Sequence, residues 1–551
     1  MSTRTQPSGG NPLDQKLDRS VTLLFAGLMV TMLLASLNQT VLSTALPTIV
    51  GELHGVDQML WIITGFILAS TIMMPIYGKI SDLLGRKPVL LSAITIFVGG
   101  SVYAALAGDM TDLIVARVIQ GVGGGGLMIL SQAAIADVIP ARQRGKYMGI
   151  MGGVFAFSSV AGPLLGGWFT EGPGWRWVFW ISLPLGILAA AATIAFLPAP
   201  RKLTARPRID YAGMTLVALA TSALVLVTTW GGGEYAWGSP VILGLIATTV
   251  VAGAAFVWVE SRAAEPIIPM YLFARRNFTV TTIAALLTGV AMFGAISYLP
   301  TYLQMTTGLS ATVVGLLMVP MMGSMLVTSV VTGRMVTATG RYKALPIFGS
   351  VVLGIALALL SMLQYDSPTW LVCVYMAVMG LGLGSSMQIL TLIVQNTFPV
   401  TLVGTATAAT NYFRQVGATL GTAVVGSLFT GRLTEQISDR IPMGTGPSDG
   451  AHSLTPELVN QMPTELRQVI IEAYHDALIP VFLYMVPLAV VAALVLLLIH
   501  EKPLATSIEE NVTPESLAEG QLVVDDAAPG AGVGSDTSGT ARTAPQQAGR
   551  S

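Results

Sequence analysis

The segment 78–87, GKISDLLGRK, lies between two long apolar runs at residues 57–77 and 88–107. It places two glycines, an acid and two consecutive bases where a hairpin between membrane helices must turn sharply. Asp82 can accept hydrogen bonds from Arg86 or from the N-terminus of a neighbouring helix, because helix N-termini attract anions. The segment therefore predicts a charged, closely packed turn at a membrane surface.

The composition predicts a membrane protein. Of 551 residues, 53% are hydrophobic and 10% are charged, whereas a soluble globular chain carries about 25% charged residues. The net charge of −1 argues against a nucleic-acid partner held by bulk charge. The single cysteine, Cys373, excludes a disulfide within the chain. The N-terminus is polar to Ser20 and then apolar without a small-residue cleavage site, which predicts an uncleaved first span.

Apolar segments long enough to cross a bilayer, which takes about 20 residues, recur along the chain. The sequence predicts an all-α membrane protein with fourteen transmembrane helices. The predicted spans are 21–43, 57–77, 88–107, 112–134, 146–168, 175–196, 211–230, 239–259, 277–299, 312–331, 344–363, 369–392, 403–429 and 478–500.

Basic residues concentrate in alternate loops, whereas the intervening short loops carry acids or no charge. By the positive-inside rule the basic loops face the cytoplasm, and an even helix count then places both termini there. We therefore expect a multi-pass protein of the cytoplasmic membrane. The basic loops include Lys79, Arg86 and Lys87; Arg142, Arg144 and Lys146; and Arg334, Arg341 and Lys343.

An internal repeat predicts two related halves. An offset of 255 residues separates Gly78 from Gly333 and also Gly162 from Gly417. Chance matches in a chain with 59 glycines are the alternative, but the shared offset disfavours them, and transporters are commonly built from such repeats. The predicted domains are a cytoplasmic segment at 1–20, a six-helix bundle at 21–200, an inserted helix pair at 201–262, a second six-helix bundle at 263–502 with an external loop at 431–477, and a disordered cytoplasmic tail at 503–551.

The turn motif resembles the signature loop of major facilitator transporters, G-x-x-x-D-R/x-x-G-R-R/K, which joins their second and third helices. The resemblance implies a conformational latch between two bundles. The alternative is an ordinary cytoplasmic charge anchor. In the second copy of the loop Thr337 replaces the acid, which predicts that only the first copy latches. The predicted latch consists of Gly78, Asp82, Gly85, Arg86 and Lys87.

The fourth predicted span carries Arg117 and Gln120 in the sequence RVIQG. A buried arginine is costly in lipid and usually faces a polar interior with a partner. The pattern resembles the R-x-x-Q-G motif of the same family, in which the arginine is implicated in proton coupling. The alternative is an arginine that reaches toward the membrane surface.

The fifth predicted span is rich in glycine and contains Pro163, which should bend the helix. Its spacing resembles the antiporter motif of drug-exporting major facilitators, which importers of the family generally lack. The resemblance therefore favours export. The motif residues are Gly153, Gly162, Pro163, Gly166 and Gly167.

The first predicted span departs from the family pattern at Asn38, in LNQTVLSTALP. The segment resembles the first-helix motif of fourteen-helix drug/proton antiporters, in which this position is a proton-carrying aspartate. An amide matches a protonated carboxyl in shape but does not titrate. Either the chain couples to protons differently, or the amide was introduced to imitate the protonated state. A polar residue that only satisfies a neighbouring helix is a further alternative.

Other polar and aromatic side chains are expected to line a central substrate cavity. For Arg414 two roles are equally compatible with the sequence: substrate binding or proton coupling in the cavity, and packing between helices. No nucleotide-binding loop, metal motif or catalytic motif occurs, so we expect neither an enzyme, a metal site nor a cofactor, and an ion gradient is the expected energy source. The predicted cavity residues are Trp61, Gln120, Tyr298, Asn411 and Arg414.

These motifs extend over about residues 20–500, and the resemblance to the fourteen-helix drug/proton antiporters implies a multidrug exporter. The expected substrates are amphipathic antibiotics, dyes or quaternary cations, exchanged for protons by a monomer, and the expected consequence is antibiotic resistance. Without a carboxylate at position 38, the preference for cations is less secure. Two alternatives stay open: export of a lipid or endogenous metabolite, and a non-transporting sensor or scaffold that signals through the loop 431–477 or the tail.

Overall fold

The computed structural model describes residues 19–55, 58–198, 208–232, 234–309, 311–365, 367–440, 459 and 462–504. The predicted disordered tail from residue 505, almost all of the N-terminal segment and much of the loop 431–477 lie outside these ranges.

The described residues form α-helices joined mainly by short connections. Their order follows the predicted spans closely, although several helices continue beyond the predicted ends. The helices are α1 Arg19–Glu52, α2 Met59–Leu84, α3 Arg86–Leu106, α4 Met110–Val138, α5 Ala141–Glu171, α6 Trp177–Trp180, α7 Ser182–Phe196, α8 Tyr211–Trp230, α9 Pro240–Glu260, α10 Arg276–Ile296, α11 Leu299–Thr307, α12 Ala311–Leu317, α13 Val319–Thr339, α14 Ala344–Leu360, α15 Thr369–Thr397, α16 Val403–Arg440 and α17 Thr464–Leu496.

In the described part of the chain, twelve helical segments are long and apolar enough to cross a membrane. The predicted count of fourteen is therefore not reached by length and composition alone. α14 is apolar but has only 17 residues. α16 has 38 residues but carries several threonines together with Asn411, Arg414 and Gln415. The last part of the predicted external loop is helical: α17 begins at Thr464 and runs without a break into the last predicted span.

Glycine and proline set the ends of several helices. Gly85 separates α2 from α3 and has φ +90°, a value that side chains with a Cβ rarely adopt. Gly340, in the left-handed conformation, ends α13 in the same way. Pro140 precedes the first residue of α5, where its fixed φ starts a helix. At the start of α4, Asp109 accepts a hydrogen bond of 2.8 Å from the backbone N–H of Asp112.

The helices pack into two groups with separate hydrophobic cores. α1 to α7 form the N-terminal bundle, in which α1 packs on α5 and α7, and α4 packs on α2 and α3. α10 to α17 form the C-terminal bundle, in which α10 packs on α16, and α15 packs on α13 and α14. α8 and α9 pack on each other outside both groups, and α8 also contacts α2 and α16.

The two bundles meet along a seam of small residues between α5 and α13 and between α2 and α16. A Cβ at Gly333 would overlap the carbonyl oxygen of Gly145, and one at Gly149 would lie 2.5 Å from the carbonyl oxygen of Ser329. A Cβ at Gly78 would overlap the side chain of Ala408. These glycines let the backbones of the two bundles approach closely.

This seam predicts different outcomes for two glycines of α13. Gly333→Ala should lower the free energy of unfolding by about 1–3 kcal/mol, because the added methyl group forces the seam apart. A methyl group on Gly323 would meet no neighbouring atom within 4 Å, so Gly323→Ala should be neutral or raise stability by up to about 1 kcal/mol. The measurement is the midpoint of thermal unfolding of the purified protein in detergent. Equal midpoints for the two variants would contradict a close-packed seam.

Candidate functional site

The bundles are joined by polar contacts at one end of the molecule. We call this the basic end: it holds the connections from α2 to α3, from α4 to α5, from α13 to α14 and from α15 to α16. The hydrogen bonds between the two bundles that the structure describes lie at this end or extend inward from it. The basic end is therefore closed in this conformation.

Asp82, on the last turn of α2, reaches the first turn of α16 in the other bundle. Its Oδ2 accepts hydrogen bonds of 2.6 Å from the backbone N–H and the hydroxyl of Thr405, and its Oδ1 accepts one of 3.2 Å from the N–H of Gly404. The carboxylate thus occupies the N-terminus of α16, where unpaired N–H groups and the helix dipole favour an anion.

Arg86 supplies the opposite charge at the same place. Its guanidinium lies 2.5 Å from Asp82 and 3.4 Å from Asp137, and it donates to the carbonyl oxygen of Val400 in the other bundle at 3.4 Å. The side chains of Asp82 and Arg86 are 5% and 7% exposed. Removal of either partner would leave the other charge buried without its nearest counter-ion, which costs up to about 3–5 kcal/mol. Both charges are therefore buried, and paired with each other, when the basic end is closed.

The remaining predicted latch residues occupy different places. Gly78 lies in the seam against α16, and Gly85 forms the turn between α2 and α3. Lys87, by contrast, donates hydrogen bonds of 2.7 and 3.1 Å to the carbonyl oxygens of Ile194 and Leu197. These atoms end α7, so Lys87 caps a helix of its own bundle and does not join the two bundles.

A second polar contact closes the basic end between α5 and α13. The backbone N–H of Lys146 donates to the Thr337 hydroxyl at 3.1 Å, and Arg142 donates to the carbonyl oxygen of Thr337 at 3.4 Å. Arg144, which is buried, donates to the carbonyl oxygen of Gln395 at 3.5 Å. The sequence did not predict these contacts. The only signal was that Thr337 occupies, in the repeated loop, the position that Asp82 has in the first loop.

The inserted pair is also tied to the latch region. Lys79, one turn before Asp82, forms an ion pair of 2.6 Å with Glu265, which follows α9. Tyr271, between α9 and α10, lies in the same electrostatic field: burial, followed by the charges of Glu265 and Asp82, raises its pKa. Its hydroxyl therefore stays neutral at physiological pH.

A buried polar network surrounds Arg117 inside the N-terminal bundle. The guanidinium donates to Asn38 Oδ1 at 2.7 Å, to the carbonyl oxygen of Ile62 at 3.2 Å and to the Gln120 side-chain oxygen, and it lies over the ring of Phe66. Gln120 in turn donates to a serine hydroxyl of α3 at 2.6 Å. All of these partners are neutral. The predicted pair of Asn38 and Arg117 is thus in direct contact, and Gln120 belongs to it.

Asn38 is held by only one of its two polar atoms. Its oxygen accepts from Arg117, whereas its Nδ2 has no hydrogen-bond partner in the described part of the chain, and the side chain is 3% exposed. The amide therefore acts as an acceptor toward the guanidinium, as a carboxylate would, but without the negative charge.

A second network lies near the seam and includes Arg414. Its guanidinium donates to Asn411 Oδ1, and Asn411 Nδ2 donates to Gln132 Oε1 of the N-terminal bundle at 3.3 Å. The amide of Gln395 donates to the carbonyl oxygen of Gln132 at 3.2 Å. Asn411 and Arg414, both predicted to line the cavity, are therefore adjacent. The sequence did not single out Gln132 and Gln395, because a lone glutamine in an apolar segment does not indicate which helix it faces.

The glycines of α5 serve two different neighbours. A Cβ at Gly162 would overlap Thr40, and one at Gly166 would overlap Thr44, so this face packs on α1 of the same bundle. Gly153 packs on Leu326 of α13. Pro163 lies inside α5, and no neighbouring atom lies within 4 Å of a Cβ built on Gly167.

Two of the predicted cavity residues lie away from the arginine networks. The ring of Trp61 packs edge-on against Trp230 of α8, with ring centroids 5.9 Å apart. Tyr298 donates to the carbonyl oxygen of Thr422 at 3.1 Å and packs on Phe429 within the C-terminal bundle. The sequence predicted that both aromatic residues line the cavity, but it could not identify their contacts, which are with residues distant in the chain.

Two helical bundles that meet along a glycine seam, with polar contacts between them at one end, are the architecture of a membrane transporter. The chain belongs to the Major Facilitator Superfamily, whose sequence profile matches residues 28–422. The predicted family is thereby confirmed.

The most informative relatives are bacterial. The chain is 40% identical over 495 residues to an uncharacterised MFS-type transporter of Mycobacterium tuberculosis (strain ATCC 25618 / H37Rv), which covers 90% of this chain and 71% of the relative. It is 38% identical over 420 residues to the multidrug transporter protein MdtP of Bacillus subtilis (strain 168), covering 76% and 77% of the two chains. The human organic anion transporter MFSD10 has a similar fold, with a TM-score of 0.58 at 15% identity over 87% of this chain and 100% of that one.

The latch predicts a defined effect of Asp82→Asn. The amide cannot balance Arg86, which keeps only the longer pair with Asp137, and it loses the negative charge at the N-terminus of α16. The closed basic end should therefore be destabilised by up to about 3–5 kcal/mol. A reporter is available at Ser329, which is buried against Gly149 in the seam. In a Ser329→Cys, Cys373→Ser background, Asp82→Asn should speed labelling by a membrane-impermeant maleimide by about tenfold or more.

The matched control is Lys87→Gln, since Lys87 caps α7 within one bundle. It should leave the labelling rate of the Ser329→Cys reporter unchanged. If Lys87→Gln speeds labelling as much as Asp82→Asn, or if neither does, Asp82 is not the latch.

Proposed function

We propose that this protein exports amphipathic compounds across the cytoplasmic membrane by alternating access, with the proton gradient as energy source. The observation that carries the proposal is the closed basic end, at which the hydrogen bonds from α16 to Asp82 and a glycine seam hold the two bundles together. Such a contact can break as a unit and expose the interior to the other side. The basic loops place this end in the cytoplasm.

The proposal includes fourteen crossings by a monomer with both termini in the cytoplasm. α14 is short but apolar, and the polar side chains of α16 face partners inside the protein rather than lipid. Counting both as spans gives each bundle six crossings and leaves α8 and α9 as the inserted pair. The even number agrees with basic residues in alternate loops.

Support for drug-like substrates comes from the relatives. A protein that is 38% identical is named a multidrug transporter, and another Bacillus subtilis protein, 31% identical over 499 residues, is named multidrug resistance protein 3. The glycine-rich α5 fits the same assignment, because its two faces pack on α1 and on α13 and allow the bundles to slide. Together these observations favour efflux over uptake.

We expect energy coupling in this chain to differ from that of drug/proton antiporters that have a proton-carrying aspartate at position 38. Asn38 cannot bind or release a proton, so in this chain it serves as a fixed acceptor that orients Arg117. We infer that the proton motive force drives the cycle without protonation of the side chain at position 38.

A second candidate function is export of a lipid or an endogenous apolar metabolite. An apolar crevice of about 350 Å³ opens where α1 and α5 of one bundle meet α13 of the other. A lipid tail could enter the protein sideways at this place. The crevice is lined by Met29, Val30, Leu33, Ile150, Gly153, Val154, Phe157, Leu326 and Val330.

The experiment that tests the proposed function is dye uptake into inverted membrane vesicles that contain the full chain. Respiration energises the vesicles, and a panel of anionic, neutral and cationic fluorescent dyes is offered. We expect uptake of at least one dye above the level of vesicles without the protein, and loss of that uptake when a protonophore collapses the gradient.

The control is the Gly323→Ala variant, whose added methyl group meets no neighbour and which should transport normally. Uptake that persists after the protonophore would contradict the energy source. Absence of uptake for every dye would contradict drug export, and protein-dependent transfer of a fluorescent phospholipid in the same vesicles would then favour the second candidate.

A further inference from the structure

Outside α17, which carries Glu472 and Asp476, the helices of this protein contain almost no acid away from their ends. In the sequence 266–434, which holds most of the C-terminal bundle, the single carboxylate is Asp366, in the connection between α14 and α15. α1 has no acid before its last residue, Glu52, and α4 has none in the sequence 113–136. The central parts of α1, α4 and α16 thus lack negative charge.

Two arginines lie well inside the same region. Arg117 is seven residues from the start of α4, about 10 Å along the helix axis, and Arg414 is eleven residues from the start of α16, about 16 Å. The described partners of Arg117 are amide and carbonyl oxygens and an aromatic ring, and the described partner of Arg414 is Asn411 Oδ1. Neither guanidinium forms an ion pair with a described carboxylate.

The two arginines differ in how a ligand could reach them. Arg117 is 2% exposed and lies behind Asn38 and Phe66, so its charge acts through the low-dielectric interior. Arg414 is half-buried, so part of its side chain is accessible, and an arginine within a membrane span usually faces a polar interior rather than lipid. Its guanidinium keeps donors beyond the one that bonds Asn411.

Exposed side chains on the neighbouring helices add no opposite charge. Gln39 and Ser43 are exposed one turn apart in α1, and Ser297 is exposed at the end of α10. These neutral groups can hydrogen-bond a ligand without neutralising the arginines. Two guanidinium charges without a described carboxylate partner favour an anionic ligand over a cation at Arg414.

We propose that the transported compounds are amphipathic organic anions, such as carboxylates or sulfonates with an apolar body, and that Arg414 binds the anionic group. The inference rests on the proposed export function and adds the charge of the substrate. The guanidinium can pair with both oxygens of a carboxylate or sulfonate, and Arg117 supports the anion by its charge alone.

An anionic substrate also explains how the chain works without an aspartate at position 38. The interior of a cell is electrically negative, so an anion that leaves moves down the electrical part of the proton motive force. Export then needs no titrating carboxylate in the spans. Asn38 preserves the positive charge of Arg117, which an aspartate would cancel.

The test uses the purified full chain in liposomes at equal pH on both sides. Potassium outside and valinomycin make the interior positive, and the probes are 8-anilinonaphthalene-1-sulfonate as the anion and ethidium as the cation. Each probe is also tested with a pH gradient and no electrical potential. We expect the potential to accelerate uptake of the anion above that of protein-free liposomes, and no protein-dependent uptake of ethidium in either gradient.

Variants of two residues locate the effect. Arg414→Gln should lower anion uptake about tenfold or more, because a charged hydrogen bond to the ligand is lost, whereas Arg414→Lys should retain most of it. Asn38→Asp should also lower anion uptake, since it pairs with Arg117, and should allow ethidium uptake that follows the pH gradient. Gel-filtration profiles and thermal unfolding midpoints like those of the native chain show that each variant is folded.

The outcomes separate the two proposals. If the native chain moves ethidium as fast as the anion, or if Arg414→Gln moves the anion normally, the anion proposal fails and the export function stands. If the native chain moves neither probe, nor any dye of the vesicle panel, in any gradient, both proposals fail.

Discussion

The structure depends on one carboxylate, Asp82 of the N-terminal bundle, which sits at the N-terminus of α16 in the C-terminal bundle. Three donors from Gly404 and Thr405 and the guanidinium of Arg86 surround it. Because the carboxylate is buried, these interactions are strong when all of them are formed. Loss of only some of them would leave a buried polar group without partners, which is costly. The contact therefore favours two states, fully closed or fully separated. The glycine seam between α5 and α13 contributes close packing, and its own hydrogen bonds, at 3.1 and 3.4 Å, are longer than the 2.6 Å bonds from Thr405 to Asp82.

The two halves of the chain share a plan but do not perform the same task. The first turn motif carries the acid that crosses to the other bundle, whereas its repeat carries Thr337, which receives weaker hydrogen bonds from α5. Opening of the basic end therefore breaks one set of strong hydrogen bonds, those from α16 to Asp82, rather than two. The arginines show a similar asymmetry: Arg117 is enclosed within its bundle, and Arg414 lies near the seam.

Much of the fold could be predicted from the sequence, because apolar length and loop charge are local properties. The sequence also indicated that Asp82 would meet Arg86 or a helix N-terminus, and that Arg117, Gln120 and position 38 would be related. It could not identify Thr405 as the partner of Asp82, since the two lie 323 residues apart. Lys87 and Trp61 were assigned from their neighbours in the chain, but their contacts are with the end of α7 and with Trp230. The position of α16 in the chain predicted that it spans the membrane. Its polar residues make it too hydrophilic to qualify as a span by length and composition alone.

The most direct test of alternating access is double electron–electron resonance on the chain in nanodiscs, in a Cys373→Ser background. One pair of spin labels, at Gln143→Cys and Arg341→Cys, spans the basic end, and another, at Glu171→Cys and Thr307→Cys, spans the opposite end. The distances are measured with and without a dye that the vesicle assay shows to be exported. Alternating access predicts two populations in which a longer distance at the basic end accompanies a shorter one at the opposite end. Distances that lengthen together, or a basic end that never opens, would contradict it.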